Sequence, residues 1–240
     1  LGDPDFINIP TKKLVDENYL SSRFNDFSFE KPTSSDEIGY GNITIQESNE
    51  TTHYSIVDQF GNAIAATTTL NGTFGSKLYC YELGFFLNNE MDDFSSKPGL
   101  PNMYGLIGGE ANKIEPRKRM LSSMTPTIVE KDKKLYMTLG TPGGSTIITS
   151  VVQTILNVHE FDMSMQEAVD AARFHHQWKP DSIRIESNLF SDNLKRSLMK
   201  SGYKLSDKGS IGRVDGILIK QKNIIEGGAD RRGDDTAIGF

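Results

Sequence analysis

The order of the hydrophobic patterns constrains this chain most. From Thr51 onward, strand pairs come first and last and helices lie between them. THYSIVD (52–58) alternates, Gln59-Phe60-Gly61-Asn62 reads as a turn, and AIAATTTL (63–70) resumes as a strand. ELGFFLNN (82–89) is another short strand. PTIVEKDKKLYMTLGT (126–141) is a hairpin turning at Asp132-Lys133, and VDGILIKQKNIIEGGA (214–229) is the last hairpin. Between them, PGGSTIITSVVQTILNVHEF (142–161) reads as a helix entered through Pro142-Gly143-Gly144. MSMQEAVDAARFH (163–175) is a second helix, and SDNLKRSLMKSGY (191–203) a third that stops at Gly202. There is no internal repeat. This order predicts an α+β fold of antiparallel sheet with helices packed outside, not a doubly wound parallel sheet.

The part before Thr51 has a different texture. LGDPDFINIP is an extended start. An amphipathic helix follows, with Val15 and Tyr19 four apart, Leu20 and Phe24 four apart, Phe27 three further on, and Thr11 as its N-cap. Residues 33–50 are rich in Ser, Gly, Asn and acid and have linker composition. A second stretch without periodicity, 95–120, predicts a long loop, and loops of that length inside a compact domain are usually functional.

Composition excludes several classes. With 36% hydrophobic and 24% charged residues the chain can build a core. A net charge of −6 argues against nucleic acid as a partner, since a phosphate-binding surface needs a basic balance. The single cysteine, Cys80, rules out an internal disulfide and a multi-cysteine metal site. No apolar run approaches the ~18 residues of a membrane span. The chain begins at Leu1 without a signal-like segment, so it is expected to be a piece of something longer.

Familiar catalytic motifs are missing: there is no GxSxG, Walker loop, HExxH or EF-hand loop. His53, His159, His175 and His176 have no partners at metal-ligand spacing and are expected to be packed or surface histidines. Three other places carry chemistry. Glu90-Met91-Asp92-Asp93 is either a solvated loop or a pocket for a metal or an ammonium group, because apolar neighbours would make unpaired carboxylates costly. Thr141-Pro142-Gly143-Gly144-Ser145 opens a helix, either structurally or as an oxyanion hole of free N–H donors. Thr51 is either an ordinary strand threonine or a nucleophile. The second use needs a base, which its own α-amine would supply after cleavage between Glu50 and Thr51.

Longer blocks settle among these alternatives. LGDPDF (1–6), TTHYSIVD (51–58), TLNGTFG (69–75), FLNNEMDDFSSKPG (86–99), PNMYGLIGG (101–109), LSSMTPTIV (121–129), GTPGGSTIIT (140–149) and RFHHQW (173–178) occur in one order. With them the chain resembles the γ-glutamyltransferase (γ-glutamyltranspeptidase) family of N-terminal nucleophile hydrolases. The resemblance is least specific in 7–50 and 180–240.

The resemblance implies an αββα sandwich made from a precursor that cuts itself before Thr51. Residues 1–50 would then be the end of a large subunit and 51–240 the whole small, catalytic subunit. It implies that Thr51 is the nucleophile and that Thr69 orients it. Asn71, Glu90 and Asp93 would hold the substrate's α-ammonium, with Glu90 where some members have glutamine. Ser122 and Ser123 would bind the α-carboxylate, and Gly143 and Gly144 would be the oxyanion donors. Tyr104 would gate a lid loop over Pro98–Gly109. The family's carboxylate-binding arginine falls in large-subunit sequence outside this chain. The implied partners are a γ-glutamyl donor such as glutathione, an amino-acid or peptide acceptor or water, and the rest of the large subunit. No cofactor is implied, and the implied location is periplasmic or extracellular. Two alternatives stand beside this reading. One is a related acylase on another amide, such as a glutaryl side chain or poly-γ-glutamate. The other is a non-catalytic fragment, in which the Glu50–Thr51 peptide stays intact. A glutaryl group has no ammonium to satisfy Asn71, Glu90 and Asp93.

Overall fold

The structure, a computed structural model, describes residues 2–38, 50–95, 108–207, 209–220 and 224–239. Strands β1 (Glu50–Val57) and β2 (Ala63–Asn71) form an antiparallel pair. The second sheet has four antiparallel strands in the order β11-β10-β6-β5. They are β5 (Thr127–Lys131), β6 (Lys134–Gly140), β10 (Asp215–Ile219) and β11 (Ile225–Gly228). The β5–β6 turn has positive φ at both Asp132 and Lys133, the conformation that matches a tight hairpin to strand twist.

Strand β6 shows how the layers form. Successive side chains of a strand point to opposite faces. Met137 and Leu139 join a buried cluster with Ile147, Val151 and Val158 of helix α3 (Thr146–His159) and Met165, Ala168 and Val169 of helix α4 (Met165–Asp170). Thr138 and Gly140 meet the other pair of strands. Thr138 Oγ1 donates to the Ile64 carbonyl (3.2 Å), and Gly140 lies against the His53 ring so closely that a Cβ there would overlap the imidazole. The order is therefore helices, four-stranded sheet, two-stranded sheet. Among the described residues the outer face of β1–β2 stays about half exposed at Tyr54, Ile56 and Ile64, so three of the four layers expected of an αββα sandwich are present.

Several local expectations need correction. The N-terminal helix is two short ones, α1 (Thr11–Leu14) and α2 (Glu17–Arg23). Thr11 is not a cap. The chain restarts at Asp16, whose carboxylate accepts from Tyr19 N (2.9 Å). The apolar stripe finds little to pack on: Val15 is 74% and Phe24 69% exposed. The 82–89 strand shrinks to β4 (Phe85–Phe86), paired with β3 (Tyr79–Cys80).

The second helix ends at Asp170, not at His175. Arg173 is buried, and its guanidinium donates to Val169 O (2.5 Å) and Ile211 O (2.8 Å) and pairs with Asp230 (2.7 Å). Those tertiary partners pull the chain out of the helix into β7 (Phe174–His175). Strand β7 pairs with β8 (Ile183–Ile185), which runs parallel to β9 (Leu205–Asp207), two strands the sequence did not suggest. Helix α5 (Asp192–Lys200) is capped by Ser191. It ends with Gly202 at φ +98°, where Tyr203 N bonds Leu198 O (3.1 Å) and Gly202 N bonds Met199 O (3.0 Å).

Candidate functional site

Thr51 lies in β1 directly opposite Thr69 of β2. The two line an open cavity of about 280 Å³ together with Thr52, Thr68, Leu70, Gly72, Thr73 and Phe74. Beneath them His53 is fixed by Thr67 Oγ1 (2.8 Å) and Ser55 Oγ (3.1 Å), and burial pushes its pKa down to about 4. It is a packed neutral histidine.

The other candidate residues connect to this pair through hydrogen bonds. Thr69 Oγ1 accepts from Asn71 N (2.9 Å). Asn71 is fully buried at φ +70°, a conformation asparagine tolerates. Its Nδ2 donates to Asn89 O (3.1 Å), while Asn89 N donates to Leu70 O (3.1 Å) and Gly72 N donates to Asn89 Oδ1 (2.8 Å). Asn89 thereby clamps the end of β2 to the single turn Glu90–Asp93.

Asp93 is buried and Glu90 half-buried beside it. Burial, and next the charge of Glu90, push the Asp93 carboxyl up to about 7, and burial raises Glu90 too. The Asp93 Oδ1 atom has no hydrogen-bond partner among the described residues. A buried carboxyl in that state would be relieved by a cationic ligand.

Asn112, in a single turn at Glu110–Asn112, carries the connection on. Its Nδ2 donates to Asp93 O (2.7 Å), and its Oδ1 accepts from Leu121 N (3.0 Å). Ser122 and Ser123 follow, the first exposed and the second buried. Ser123 Oγ donates to Gly144 O (3.4 Å). Gly143 and Gly144 both have positive φ, +134° and +56°, just before α3. Among the described residues neither N–H donates to a backbone carbonyl. The structure thus brings Thr51, Thr69, Asn71, Glu90, Asp93, Ser122, Ser123, Gly143 and Gly144 into one connected region. Tyr104 lies outside the described residues, as do 39–49 of the linker. Sequence reasoning did not assign Asn89 or Asn112. Asn89 stands beside the acidic turn and was findable; Asn112 sits in a stretch without pattern.

Helices packed on one of two stacked antiparallel sheets match the layers of an N-terminal nucleophile hydrolase fold. The model of the family described as Gamma-glutamyltranspeptidase matches residues 1–240, and the chain belongs to that family. It is 46% identical over 241 residues to the glutathione hydrolase proenzyme of Escherichia coli K12, covering 100% of this chain and 41% of that protein. A solved chain of a mutant Helicobacter pylori gamma-glutamyltranspeptidase is 50% identical with a TM-score of 0.73, covering 76% of this chain and 100% of its own. One from Pseudomonas nitroreducens is 44% identical with a TM-score of 0.75, covering 79% and 98%. The chain therefore spans about two fifths of the length of the curated relative.

Proposed function

We propose that this chain carries the nucleophile and most of the donor site of an enzyme that hydrolyses or transfers the γ-glutamyl group of glutathione and related compounds. The observation that carries the reading is the hydrogen-bonded path from the Thr51–Thr69 pair through Asn71 and Asn89 to Asp93, and through Asn112 to Ser122–Ser123 and Gly144. That path links a buried carboxyl, two serines and the Gly143–Gly144 turn to the strand that carries Thr51, which supports the reading.

In this reading the precursor is cut before Thr51, dividing it into 1–50, the end of a large subunit, and 51–240, the small subunit. Residues 51–240 are 190 of 240, or 79% of the chain, the same share that the Pseudomonas nitroreducens chain covers. The freed α-amine of Thr51 takes the proton from its Oγ, which attacks the γ-amide carbonyl. The Gly143 and Gly144 N–H groups receive the oxyanion. A cysteinylglycine-like amine leaves, and the ester on Thr51 passes to water or to an amine acceptor. Asn71, Glu90 and Asp93 take the α-ammonium, and Ser122 and Ser123 the α-carboxylate. An arginine from the rest of the large subunit completes the carboxylate site. None of these steps needs a cofactor.

No helix among the described residues is long and apolar enough to cross a membrane. We place the whole protein in the periplasm or outside the cell on family grounds, which cell fractionation tests. The activity is tested with the complete precursor and γ-glutamyl p-nitroanilide. Cleavage before Thr51 and release of the anilide are expected, and a cleaved, folded enzyme inert on every γ-glutamyl donor would overturn the reading.

A further inference from the structure

The block LGDPDF takes no part in the chemistry proposed above, yet residues 2–6 hold both ends of the strap that carries Asn112. Asp3 is buried. Its Oδ2 accepts from Arg119 N (2.8 Å) and Nε (3.1 Å), and its Oδ1 from Arg119 Nη2 (2.5 Å). The same Nη2 reaches Asp5 Oδ2 (2.6 Å). These bonds hold the Asp3 carboxyl well below the usual carboxylate range. The Lys118 ammonium stands 5.4 Å over the Phe6 ring, and Gly2 lies so close to Ala111 that a Cβ would overlap its carbonyl oxygen. So residues 2–6 grip the strap at Ala111 and again at Lys118–Arg119. Between those grips Asn112 holds Asp93 and Leu121, and Ser122 comes three residues after Arg119.

The kind of grip matters. A single ion pair would fix only a side chain. Here one carboxylate takes both the backbone N–H and the guanidinium of Arg119, which fixes the main chain directly ahead of the two serines. A forked Arg–carboxylate contact also constrains orientation, which a lysine in the same place does not.

We propose that Asp3 is a positioning residue for the donor site. Through Arg119 and the strap it sets the spacing between Asp93, which the reading above gives to the α-ammonium, and Ser122–Ser123, which it gives to the α-carboxylate. The proposal rests on the γ-glutamyl reading above. In that reading, cleavage before Thr51 puts Asp3 and Arg119 on different polypeptides. The subunit that does not carry the nucleophile then tunes donor recognition from outside the contact shell.

The test uses the complete enzyme with γ-glutamyl p-nitroanilide, rates being taken per cleaved molecule, counted by the small-subunit band. Asp3→Asn is expected to raise KM about tenfold or more, the loss of a charge-assisted contact, while kcat stays within about threefold. Arg119→Lys, which keeps the charge and loses the fork, is expected to raise KM in the same direction by less. A merely structural brace would instead lower the amount of cleaved enzyme and leave its KM unchanged; that result in both variants overturns the proposal. If Asp3→Asn yields no cleaved enzyme, Arg119→Lys decides alone. A wild-type enzyme that never releases the anilide removes the underlying reading and this proposal with it, and is distinct from an active wild type matched by its variants.

Discussion

Thr51 and Thr69 face each other across β1 and β2, and the register slips immediately beyond them, so that Asn71 rather than Leu70 stands opposite Glu50. A bulge of this kind ends regular pairing and re-aims the chain. It sits at the peptide bond whose cleavage would free the Thr51 amine.

If Thr51 is the nucleophile for that cleavage, Thr51→Ala in the complete precursor should leave one unbroken chain. Thr51→Ser, which keeps a hydroxyl, should cleave slowly. A denaturing gel reads both. Two normal subunits from the alanine variant would mean that another group performs the cut.

The Glu90–Asp93 pair should make donor binding pH-dependent. Burial, and next the charge of Glu90, push the Asp93 carboxyl up to about 7. Its raised carboxyl favours the folded state below the ordinary aspartate range, and that contribution is lost as pH rises through about 7. Ammonium binding requires the ionised form, so kcat/KM should fall as pH drops below about 7. Glu90→Gln removes the neighbouring charge that raises Asp93, and should move this acidic limb to lower pH. A limb that stays in place in Glu90→Gln would assign it to another group.

What the sequence disclosed and what it hid follow one division. The Asp132-Lys133 hairpin and the glycine entry to α3 were legible because their causes are local: two residues at positive φ, and two glycines before a helical period. The end of α4 was not, because Arg173 answers to Ile211 and Asp230, far along the chain. The N-terminal stripe of Val15, Leu20 and Phe24 misled for the opposite reason: the helical period is present but packs on little, and Asp16 starts a new helix instead. At the site, residue blocks pointed to Thr51, Asp93 and Gly144. Nothing local marks Asn112 or Arg119, whose partners Asp93 and Asp3 lie 19 and 116 residues away.

Gly140→Ala should loosen the nucleophile strand without touching any candidate site residue. The new methyl would overlap the His53 ring, which is itself held by Thr67 and Ser55. Overpacking at such a point costs about 1–3 kcal/mol, readable as a lower midpoint in denaturant unfolding. An unchanged midpoint would show that β1 and β6 separate more easily than the packing implies.

Asn112→Ala should be costly for its size. It strands a buried Asp93 carbonyl and the Leu121 N–H at once, and each group left without a partner costs about 1–3 kcal/mol. A loss of about 2–4 kcal/mol is expected in urea unfolding, measured in the Thr51→Ala background so that the chain stays single. Asn112→Asp keeps an acceptor for Leu121 but loses the donor to Asp93 and adds a carboxylate near the acidic turn. Its penalty should therefore grow as pH rises and both carboxyls ionise. Alanine and wild-type curves that coincide would remove Asn112 from the path between the two halves of the site.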